Sequence, residues 1–246
     1  MKGRIAIIDG LRSPMGRMNG ALDNIQADNL ATHILHELHL RNENLAKYYQ
    51  EVIFGNVSGP AHAANIARVI ALKAGISKDI PAFSVHRNCA SGMEAVTSAI
   101  AKIQGYQDGI YVVGGVESMS NIPFLFSKKY QMFLTNFARC KSIPEKLLYL
   151  TKFRFSFFAP TIALKLGLTD PVCNMIMGDT AELLAREFKI SRKDQDEFAM
   201  QSHNKAEKAR DAGIYQEESI PFPANPKKGK MLEHDEKLLH KILDML

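Results

Sequence analysis

The chain has 246 residues, of which 46% are hydrophobic and 23% charged, as is typical of a globular protein that buries most of its apolar surface. Its net charge of +5 is modest and locally concentrated, so the composition does not indicate a nucleic-acid-binding protein. Three widely spaced cysteines predict a reducing compartment, the cytoplasm with the mitochondrial matrix as alternative, and no apolar run reaches the roughly 18 residues of a membrane span.

Strand-like and helix-like segments alternate along residues 1–121. Short runs rich in β-branched residues predict strands at 4–9, 51–57, 81–86 and 109–115. Apolar residues at helical spacing predict helices at 25–40, at 65–75 and from Ala90 onward. Strands that alternate with helices predict an α/β core, in which a mostly parallel sheet is covered by helices.

The pattern changes after Asn121. Residues 127–160 hold seven Lys and Arg residues, one acidic residue and eight aromatic residues. Helices are predicted at 177–188 and after Ser191, a candidate N-cap with Asp194 three residues on, and Gly213 is a candidate for ending the second of them. The sequence therefore predicts a core at 1–121 and a mostly helical insertion at 122–246.

The basic and aromatic stretch at 127–160 has three interpretations. It packs on the core, it binds a partner protein, or it makes a peripheral contact with a membrane. The last is an alternative because basic residues interleaved with Phe and Leu suit the lipid interface. The sequence leaves the three open, with packing or a protein partner preferred.

Cys89 lies in the segment VHRNCASGMEAV, at the junction between a predicted strand and a predicted helix. A cysteine is often a small apolar core residue, and that interpretation stands beside a catalytic one. At the start of a helix, however, the positive end of the helix dipole favours the thiolate, which is the nucleophilic form. Ala90, Ser91 and Gly92 leave room for a substrate. These residues alone do not decide between packing residue and nucleophile.

Two further patterns have structural interpretations. In HILHELHL, His33, His36 and His39 are three residues apart, whereas the HExxH zinc motif needs a spacing of four, so we expect a solvated helix face and no metal site. Gly114 and Gly115 follow a predicted strand without the glycine-rich nucleotide fingerprint. That pair predicts close packing of the backbone rather than dinucleotide binding.

Several motifs in order resemble those of the thiolase family. RNCASGMEA, at 87–95, resembles the segment whose cysteine carries the acyl group, and VVGGVESMSNIPF, at 112–124, is similar to the family's GG-x-ESMS-x-x-P. Residues 177–222 resemble the loop domain that covers coenzyme A, and IAIIDGLRSPMGR fits the start of the family. KFRFSFFAP, at 152–160, looks most like the β-subunits of trifunctional fatty-acid oxidation complexes. The resemblance covers essentially the whole chain.

This resemblance implies a thiolase-like fold and an acyltransferase that cleaves a 3-ketoacyl-CoA with coenzyme A, or runs the reverse condensation, through an acyl thioester on Cys89. Coenzyme A is then a substrate, and no metal or redox cofactor is needed. The resemblance also implies contacts of coenzyme A with Met177 and with Lys227 or Lys228, although KKGK is on composition a solvated loop. Its implied partners are a second copy of the chain or a β-oxidation α-subunit.

The sequence departs from the family in two respects. His86 stands where many thiolases carry Asn or Gln. The second half of a thiolase also supplies a Gly-His-Pro segment, a Cys-x-Gly segment and an oxyanion-site asparagine, and neither Cys140 nor Cys173 fits that second cysteine. We therefore expect these 246 residues to be an N-terminal half that is inactive alone. The alternative is a non-catalytic remnant that binds coenzyme A or assists assembly.

Overall fold

The computed structural model describes residues 4–105, 108–159, 161–225 and 229–236. Two units are distinguished, one of Met1–Asn121 together with Asp196–Leu246, and one of Ile122–Gln195. The first boundary between the units follows Asn121, as it does in the sequence-based division. The second boundary precedes Asp196, so the residues from Asp196 onward belong to the first unit and not to the insertion. The functional division into a core at 1–121 and a coenzyme-A-covering domain at 122–246 stays a prediction.

Helices and strands alternate in the first unit. Their bounds are α1 Ala27–Arg41, β1 Tyr49–Gly55, α2 Ile66–Lys73, β2 Ala82–Val85, α3 Ser91–Gln104 and β3 Ile110–Gly115. The three strands form one parallel sheet in the order β2-β1-β3. The predicted α/β class is therefore confirmed, as are the three helices and the last three of the four strands.

The register of the sheet places the carboxyl ends of its strands together. Gly55, the last residue of β1, pairs with Val85 of β2 and with Gly115 of β3. Loops that follow parallel strands leave from the same edge, which is where ligands bind in open α/β sheets. The loop that carries Cys89 follows β2 and starts from this edge.

Helices cover both faces of the sheet. On one face, Val52 and Phe54 of β1 pack against the buried sides of α1 and α2. On the other face, Ile53 packs against Ala95 and Ala99 of α3. Neighbouring residues of a strand point to opposite faces, so β1 is buried on both sides, and Val52 and Ile53 are each 0% exposed. Helix α3 is thereby fixed to the sheet through small residues.

The strand predicted at 4–9 is wrong. Residues 4–10 form neither helix nor strand, and the side chains of Ile7 and Ile8 are 89% and 59% exposed. A β-branched run favours extended backbone, but a strand also needs a neighbour with which to exchange hydrogen bonds. Within the described ranges, residues 4–10 pair with no strand. An isolated β-bridge follows them, between Arg12 and Ser219.

A carboxylate is buried where α1 meets α2. Asp28 of α1 is 1% exposed, and it accepts hydrogen bonds from Lys73 Nζ at 2.6 Å and from His62 Nε2 at 3.2 Å. Burial raises the pKa of Asp28, but the hydrogen bonds from Lys73 and His62 outweigh burial, so the pKa lies below its ordinary value. The ionised carboxylate ties the loop that contains His62, and the end of α2, to α1.

Helix α8 spans the second break in the chain and precedes a small antiparallel hairpin. The bounds are α8 Arg192–Asp211, β6 Phe222–Asn225 and β7 Lys230–Leu232. The predicted cap is confirmed, because Ser191 Oγ accepts a hydrogen bond from Asp194 N–H at 3.1 Å and the Asp194 carboxylate accepts one from Ser191 N–H at 3.2 Å. Gly213, with a φ of 72°, follows the helix in the left-handed conformation expected of a residue that ends it.

The second unit is mostly helical, as predicted. Its elements are β4 Phe124–Leu125, α4 Lys128–Arg139, α5 Ile143–Leu150, β5 Thr161–Ile162, α6 Ala163–Gly167 and α7 Met177–Glu187, with β4 and β5 antiparallel. Helix α7 matches the prediction at 177–188. In the part of the chain that the structure describes, no helix combines the length and apolar character needed to cross a membrane.

An aromatic cluster forms the centre of the stretch at 127–160. Phe133 of α4 is 7% exposed, and its ring centroid lies 5.4 Å from that of Tyr149 on α5. Three other apolar side chains of the same stretch, Ile143, Leu148 and Phe155, are 75%, 72% and 87% exposed. The stretch therefore packs internally through some aromatic residues and presents other apolar residues at its surface.

Candidate active site

Cys89 is a free, exposed thiol in the loop between β2 and α3. Strand β2 ends at Val85 and α3 begins at Ser91, which confirms the strand-to-helix junction inferred from the sequence. The N-cap of α3 is Ala90, whose methyl side chain cannot accept a hydrogen bond from the first turn. The positive end of the α3 dipole therefore faces the segment that carries the thiol, where it stabilises negative charge. In this structure Cys89 is not a core residue.

The turn around Cys89 is held by a buried serine. Ser91 is 4% exposed, and its Oγ accepts a hydrogen bond from Arg87 N–H at 2.8 Å and donates one to the Asn88 carbonyl at 2.7 Å. Asn88 has a φ of 46°, in the left-handed region that Asn tolerates better than most residues. Backbone bonds from Ala90 N–H to Arg87 O, 3.0 Å, and from Ser91 N–H to Asn88 O, 3.1 Å, complete the turn.

A charged pair borders this turn. Arg87 NH1 lies 2.9 Å from Glu94 Oε2 on α3, and the two side chains are 68% and 22% exposed. An exposed pair of this kind contributes about 0–1 kcal/mol to stability. His86, which departs from the family pattern, is exposed, and its Nδ1 lies 3.5 Å from the Asn88 nitrogen. Arg87, Glu94 and His86 are thus the charged or titratable side chains nearest to Cys89 in sequence.

Glycines allow the start of α3 to approach the sheet. A Cβ atom on Gly55 would meet the backbone carbonyl group of Ser91, and one on Gly115 would lie 3.0 Å from Cα of Gly92. A Cβ on Gly114 would lie 2.6 Å from the ring of Phe54. Close packing of the backbone, the interpretation given to Gly114 and Gly115 from the sequence, is found at Gly115 against the backbone of Gly92 and at Gly114 against the side chain of Phe54.

The ends of the three strands are joined by Asn56 and Glu117. Asn56 is 7% exposed, and it donates from its backbone N–H to Val85 O at 3.2 Å and from its side chain to Val116 O at 2.8 Å. The Glu117 carboxylate accepts a hydrogen bond from Val57 N–H at 2.9 Å. Hydrogen bonds from the loop after β1 to the end of β2 and to the loop after β3 therefore fix the edge from which the cysteine turn leaves.

A cavity of about 650 Å³ lies elsewhere in the first unit, and Cys89 does not line it. Its walls include Arg12 from the N-terminal segment, Arg210 near the end of α8, and residues 233–236. Arg12 and Arg210 are each ion-paired with neighbouring carboxylates. Both arginines are thus already neutralised by carboxylates, and we place the chemistry at Cys89 rather than in this cavity.

Comparison with known proteins bears directly on this arrangement. A sequence model of the family described as "Thiolase, N-terminal domain" matches residues 5–245. The chain belongs to the thiolase family. The resemblance inferred from the motifs is confirmed, and with it the thiolase-like character of the α/β fold.

Curated relatives of this thiolase chain come from bacteria and mitochondria. The 3-oxoadipyl-CoA/3-oxo-5,6-dehydrosuberyl-CoA thiolase of Escherichia coli (strain K12) is 37% identical over 237 residues, which cover 94% of this chain and 55% of the relative. The mitochondrial trifunctional enzyme subunit beta of Homo sapiens is 33% identical over 218 residues, which cover 89% of this chain and 45% of the relative. The chain thus spans about half the length of the curated relatives it matches.

Solved thiolase structures share the fold. The Bacillus anthracis acetyl-CoA acetyltransferase superposes with a TM-score of 0.74 and 30% identity, covering 91% of this chain and 52% of the other. Human mitochondrial 3-ketoacyl-CoA thiolase, solved in complex with CoA, gives a TM-score of 0.74 with 26% identity and covers 92% and 52% of the two chains.

Met177, Lys227 and Lys228 are the other site residues predicted from the sequence. Met177 is the first residue of α7 in the second unit, and its side chain is 49% exposed. Cys89 belongs to the first unit. Lys227 and Lys228 lie outside the described residues. The contacts of these three residues with coenzyme A therefore stay predictions.

The three histidines of α1 have separate surroundings. His36 is exposed and its Nδ1 lies 3.0 Å from Ala74 O, whereas the half-buried His33 ring meets Phe222 edge-on at 4.9 Å. His39 is also half-buried, so the expected solvated face holds for only one of the three. Among the residues that the structure describes, no three His, Cys, Asp or Glu side chains are grouped so as to hold a metal ion.

Sequence reasoning missed three residues that shape the site. Ser91 was noted only for its small size, Glu117 only as part of a motif, and Asn56 not at all. The available signal was the position of Ser91 at the start of a predicted helix, where short polar side chains often bond to nearby backbone. No local pattern indicates that Asn56 and Glu117 meet, because they are 61 residues apart.

Proposed function

We propose that the protein is an acyltransferase that cleaves a 3-ketoacyl-CoA with coenzyme A into acetyl-CoA and a shortened acyl-CoA, or catalyses the reverse condensation. Cys89 carries the acyl group. The observation that supports this function is the exposed Cys89 thiol at the N-terminal end of α3, in a chain of the thiolase family. The direction of the reaction and the length of the acyl chain stay open in this proposal.

Cleavage begins when the Cys89 thiolate attacks the 3-keto carbon of the substrate. The bond between C2 and C3 then breaks, its electron pair stays on C2 of the departing acetyl-CoA, and C2 takes up a proton. The shortened acyl group remains on Sγ as a thioester. The deprotonated thiol of a free coenzyme A attacks that thioester, and Cys89 leaves as thiolate. Covalent catalysis of this kind divides one difficult step into two easier ones.

The cysteine turn supplies the nucleophile at the N-terminal end of α3. The reaction also needs a group that removes the thiol proton and a group that protonates C2. In the family these belong to the Gly-His-Pro and Cys-x-Gly segments, which the 246 residues do not contain. We therefore propose little or no turnover by these residues alone, since each lost acid or base costs about 10²- to 10⁴-fold in rate.

The proposed function is tested by assaying acetoacetyl-CoA and a long-chain 3-ketoacyl-CoA with the 246-residue chain, with and without any polypeptide encoded downstream. Mass spectrometry after mixing with either substrate reports an acyl adduct on Cys89. The C89S variant is expected to lose both the adduct and the activity, whereas C173S, which changes another exposed cysteine, is expected to keep both. Activity that survives in C89S contradicts the proposal.

A second candidate is a non-catalytic remnant that binds coenzyme A or assists assembly. It shares the family with the first candidate but does not use Cys89 as a nucleophile. This candidate predicts that calorimetry detects coenzyme A binding while no acyl adduct forms on Cys89 under any condition. An adduct, even with slow turnover, favours the enzyme.

We further propose that Met177 contacts the pantetheine arm of coenzyme A and that Lys227 or Lys228 pairs with one of its phosphates. The half-exposed position of Met177 at the start of α7 is compatible with such a contact. The variants K227Q and K228Q are expected to weaken coenzyme A binding in a salt-dependent manner. M177A is expected to weaken it without changing the dependence on salt.

For partners, we propose a homo-oligomer or a complex with a β-oxidation α-subunit, located in the cytoplasm or the mitochondrial matrix. A relative named as a trifunctional enzyme subunit and the exposed isoleucines of the N-terminal segment support an assembly. Light scattering after size exclusion is expected to give a mass above 27.4 kDa, and a single 27.4 kDa species argues against self-association.

As the alternative to internal packing or a protein partner, we propose that the stretch at 127–160 makes a peripheral membrane contact. Ile143, Leu148 and Phe155 are exposed there, and Lys146 and Lys152 follow closely in sequence. Apolar side chains that insert at the headgroup level, next to cations that meet anionic lipids, are typical of interfacial segments.

A further inference from the structure

We infer that Ser91 is a positioning residue for Cys89, and that its hydroxyl holds the cysteine turn in the form in which the thiol reacts. This inference rests on the proposed role of Cys89 as nucleophile. Ser91 touches no substrate in this account. Its hydroxyl bonds to backbone groups of Arg87 and Asn88, the two residues that precede Cys89.

The geometry that carries the inference is a hydroxyl that bridges two consecutive residues. Ser91 Oγ accepts the Arg87 N–H at 2.8 Å and donates to the Asn88 carbonyl at 2.7 Å. Both distances are typical of well-formed hydrogen bonds. Because the hydroxyl has one donor and accepts one bond here, a single side chain fixes the backbone on both sides of the peptide that links these two residues.

The position of Asn88 shows why the turn needs this support. Its φ of 46° lies in the left-handed region, which Asn adopts more readily than most other non-glycine residues but less readily than the helical or extended regions. The Asn88 carbonyl accepts both the Ser91 hydroxyl and the Ser91 N–H, so Ser91 supplies both of its recorded bonds. Without the hydroxyl, the carbonyl of the residue directly before Cys89 loses the shorter of these two bonds and keeps the one from Ser91 N–H.

The second half of the argument is that Ser91 itself cannot move. It is 4% exposed, it is the first residue of α3, and its backbone carbonyl lies where a Cβ on Gly55 would stand. Helix α3 is fixed to the sheet through Ala95 and Ala99, which pack against Ile53. The hydroxyl therefore ties the exposed cysteine turn to the rigid junction between α3 and β1.

The test compares rates of iodoacetamide alkylation at Cys89, Cys140 and Cys173, read by mass spectrometry, in the wild type and in S91A. The matched control is S84A, because Ser84 Oγ also accepts a backbone N–H, from Ala67, and donates to an oxygen, that of Asn65. S91A is expected to alkylate Cys89 about fivefold more slowly at pH 7, the loss that corresponds to a weakened interaction with the helix end. S84A is expected to leave the Cys89 rate unchanged.

A merely structural role for Ser91 predicts a different pattern. In that case S91A and S84A lower the unfolding temperature and leave the relative rate at Cys89 unaltered, which overturns the inference. A positioning role instead lowers the rate at Cys89 relative to the rates at Cys140 and Cys173. His86, Arg87 and Glu94 border the turn in every variant, so their presence does not distinguish the variants.

If S91A does not fold, the pair S91T and S91V replaces it, since these side chains have the same shape and differ in the hydroxyl. S91T is expected to react at Cys89 about fivefold faster than S91V. Equal rates in the two variants overturn the inference. Alkylation needs no acyl substrate, so this result is separate from the search for an acyl adduct on Cys89, which tests the proposed function.

Discussion

Lys73 Nζ lies 2.6 Å from Asp28 Oδ2, and the aspartate is 1% exposed. This pair joins the C-terminal end of α2 to the first turn of α1, on the face of the sheet opposite α3. His62, from the loop after β1, contacts the other carboxylate oxygen at 3.2 Å. The buried carboxylate of Asp28 thereby holds together α1, the end of α2 and the loop after β1.

Removal of that charge is expected to destabilise the protein. D28N keeps the shape of the side chain but loses the charge-assisted hydrogen bonds with Lys73 and His62, at a cost of about 2 kcal/mol in the free energy of unfolding. Denaturant titration followed by circular dichroism measures it. D108N, at an exposed carboxylate, serves as control and is expected to lie within about 0.5 kcal/mol of the wild type. A D28N variant as stable as D108N contradicts the assignment.

Stability is also expected to fall at acid pH. Burial raises the pKa of Asp28 and of Asp235, but hydrogen bonds, from Lys73 to Asp28 and from Arg12 to Asp235, outweigh burial and lower both pKa values. The unfolded chain then binds protons more readily, so the stabilisation is complete above the ordinary aspartate pKa of about 4 and is lost as the pH falls through the folded values. Thermal unfolding between pH 7 and pH 2 is expected to show this loss, with a shallower slope in D28N and D235N.

Cys89 is expected to be the cysteine most sensitive to alkylation. It is exposed at the start of α3, whereas Cys140 is partly buried with its Sγ 3.4 Å from Asn136 O. Cys173 is also exposed but lies beside the Asp170 carboxylate, so a difference between the two thiols does not come from burial alone. Iodoacetamide labelling at neutral pH and mass spectrometry measure the three rates. Faster labelling of Cys173 removes the main physical support for Cys89 as nucleophile.

The turn at Cys89 illustrates what a single sequence can predict. Local sequence patterns at 81–104 predict a strand, a turn of small residues and a helix, in that order. The structure forms all three as predicted. The prediction of a strand at 4–9 was wrong although its local signal, a β-branched run, was present. A strand also needs a hydrogen-bonding partner from elsewhere in the chain, which a local pattern does not reveal. The buried pair of Asp28 and Lys73 was not foreseen either, since the two residues are 45 positions apart and only the fold brings them together.

Gly55 is expected to be intolerant of a side chain. A Cβ there would meet the carbonyl group of Ser91, which is backbone and cannot rotate away, so G55A must displace the start of α3. We expect a loss of about 2 kcal/mol in the free energy of unfolding, in the range of overpacked sites, together with slower alkylation of Cys89. G10A is the control, because a Cβ on Gly10 meets no atom within 4 Å. Equal stability of the two variants contradicts the close approach.

On the membrane alternative, the surface of the stretch at 127–160, where Ile143, Leu148 and Phe155 are exposed, is expected to bind anionic membranes. Vesicles of phosphatidylglycerol should sediment the protein, whereas vesicles of phosphatidylcholine should not, because each lysine near the surface contributes about 1 kcal/mol only where the lipid is anionic. I143E and L148E, which place negative charge on this surface, should abolish binding. V172E, at a side chain that is 90% exposed in the same unit, should not.

Raising the salt concentration is expected to weaken this binding, since the lysine contribution is screened over about 10 Å at 0.1 M. Equal sedimentation with both kinds of vesicle would indicate apolar adsorption without charge recognition, and no sedimentation with either would leave a protein partner as the occupant of this surface. In the second case, I143E and L148E should instead lower the mass measured by light scattering for any complex. The same two substitutions therefore decide between lipid and protein for the stretch at 127–160.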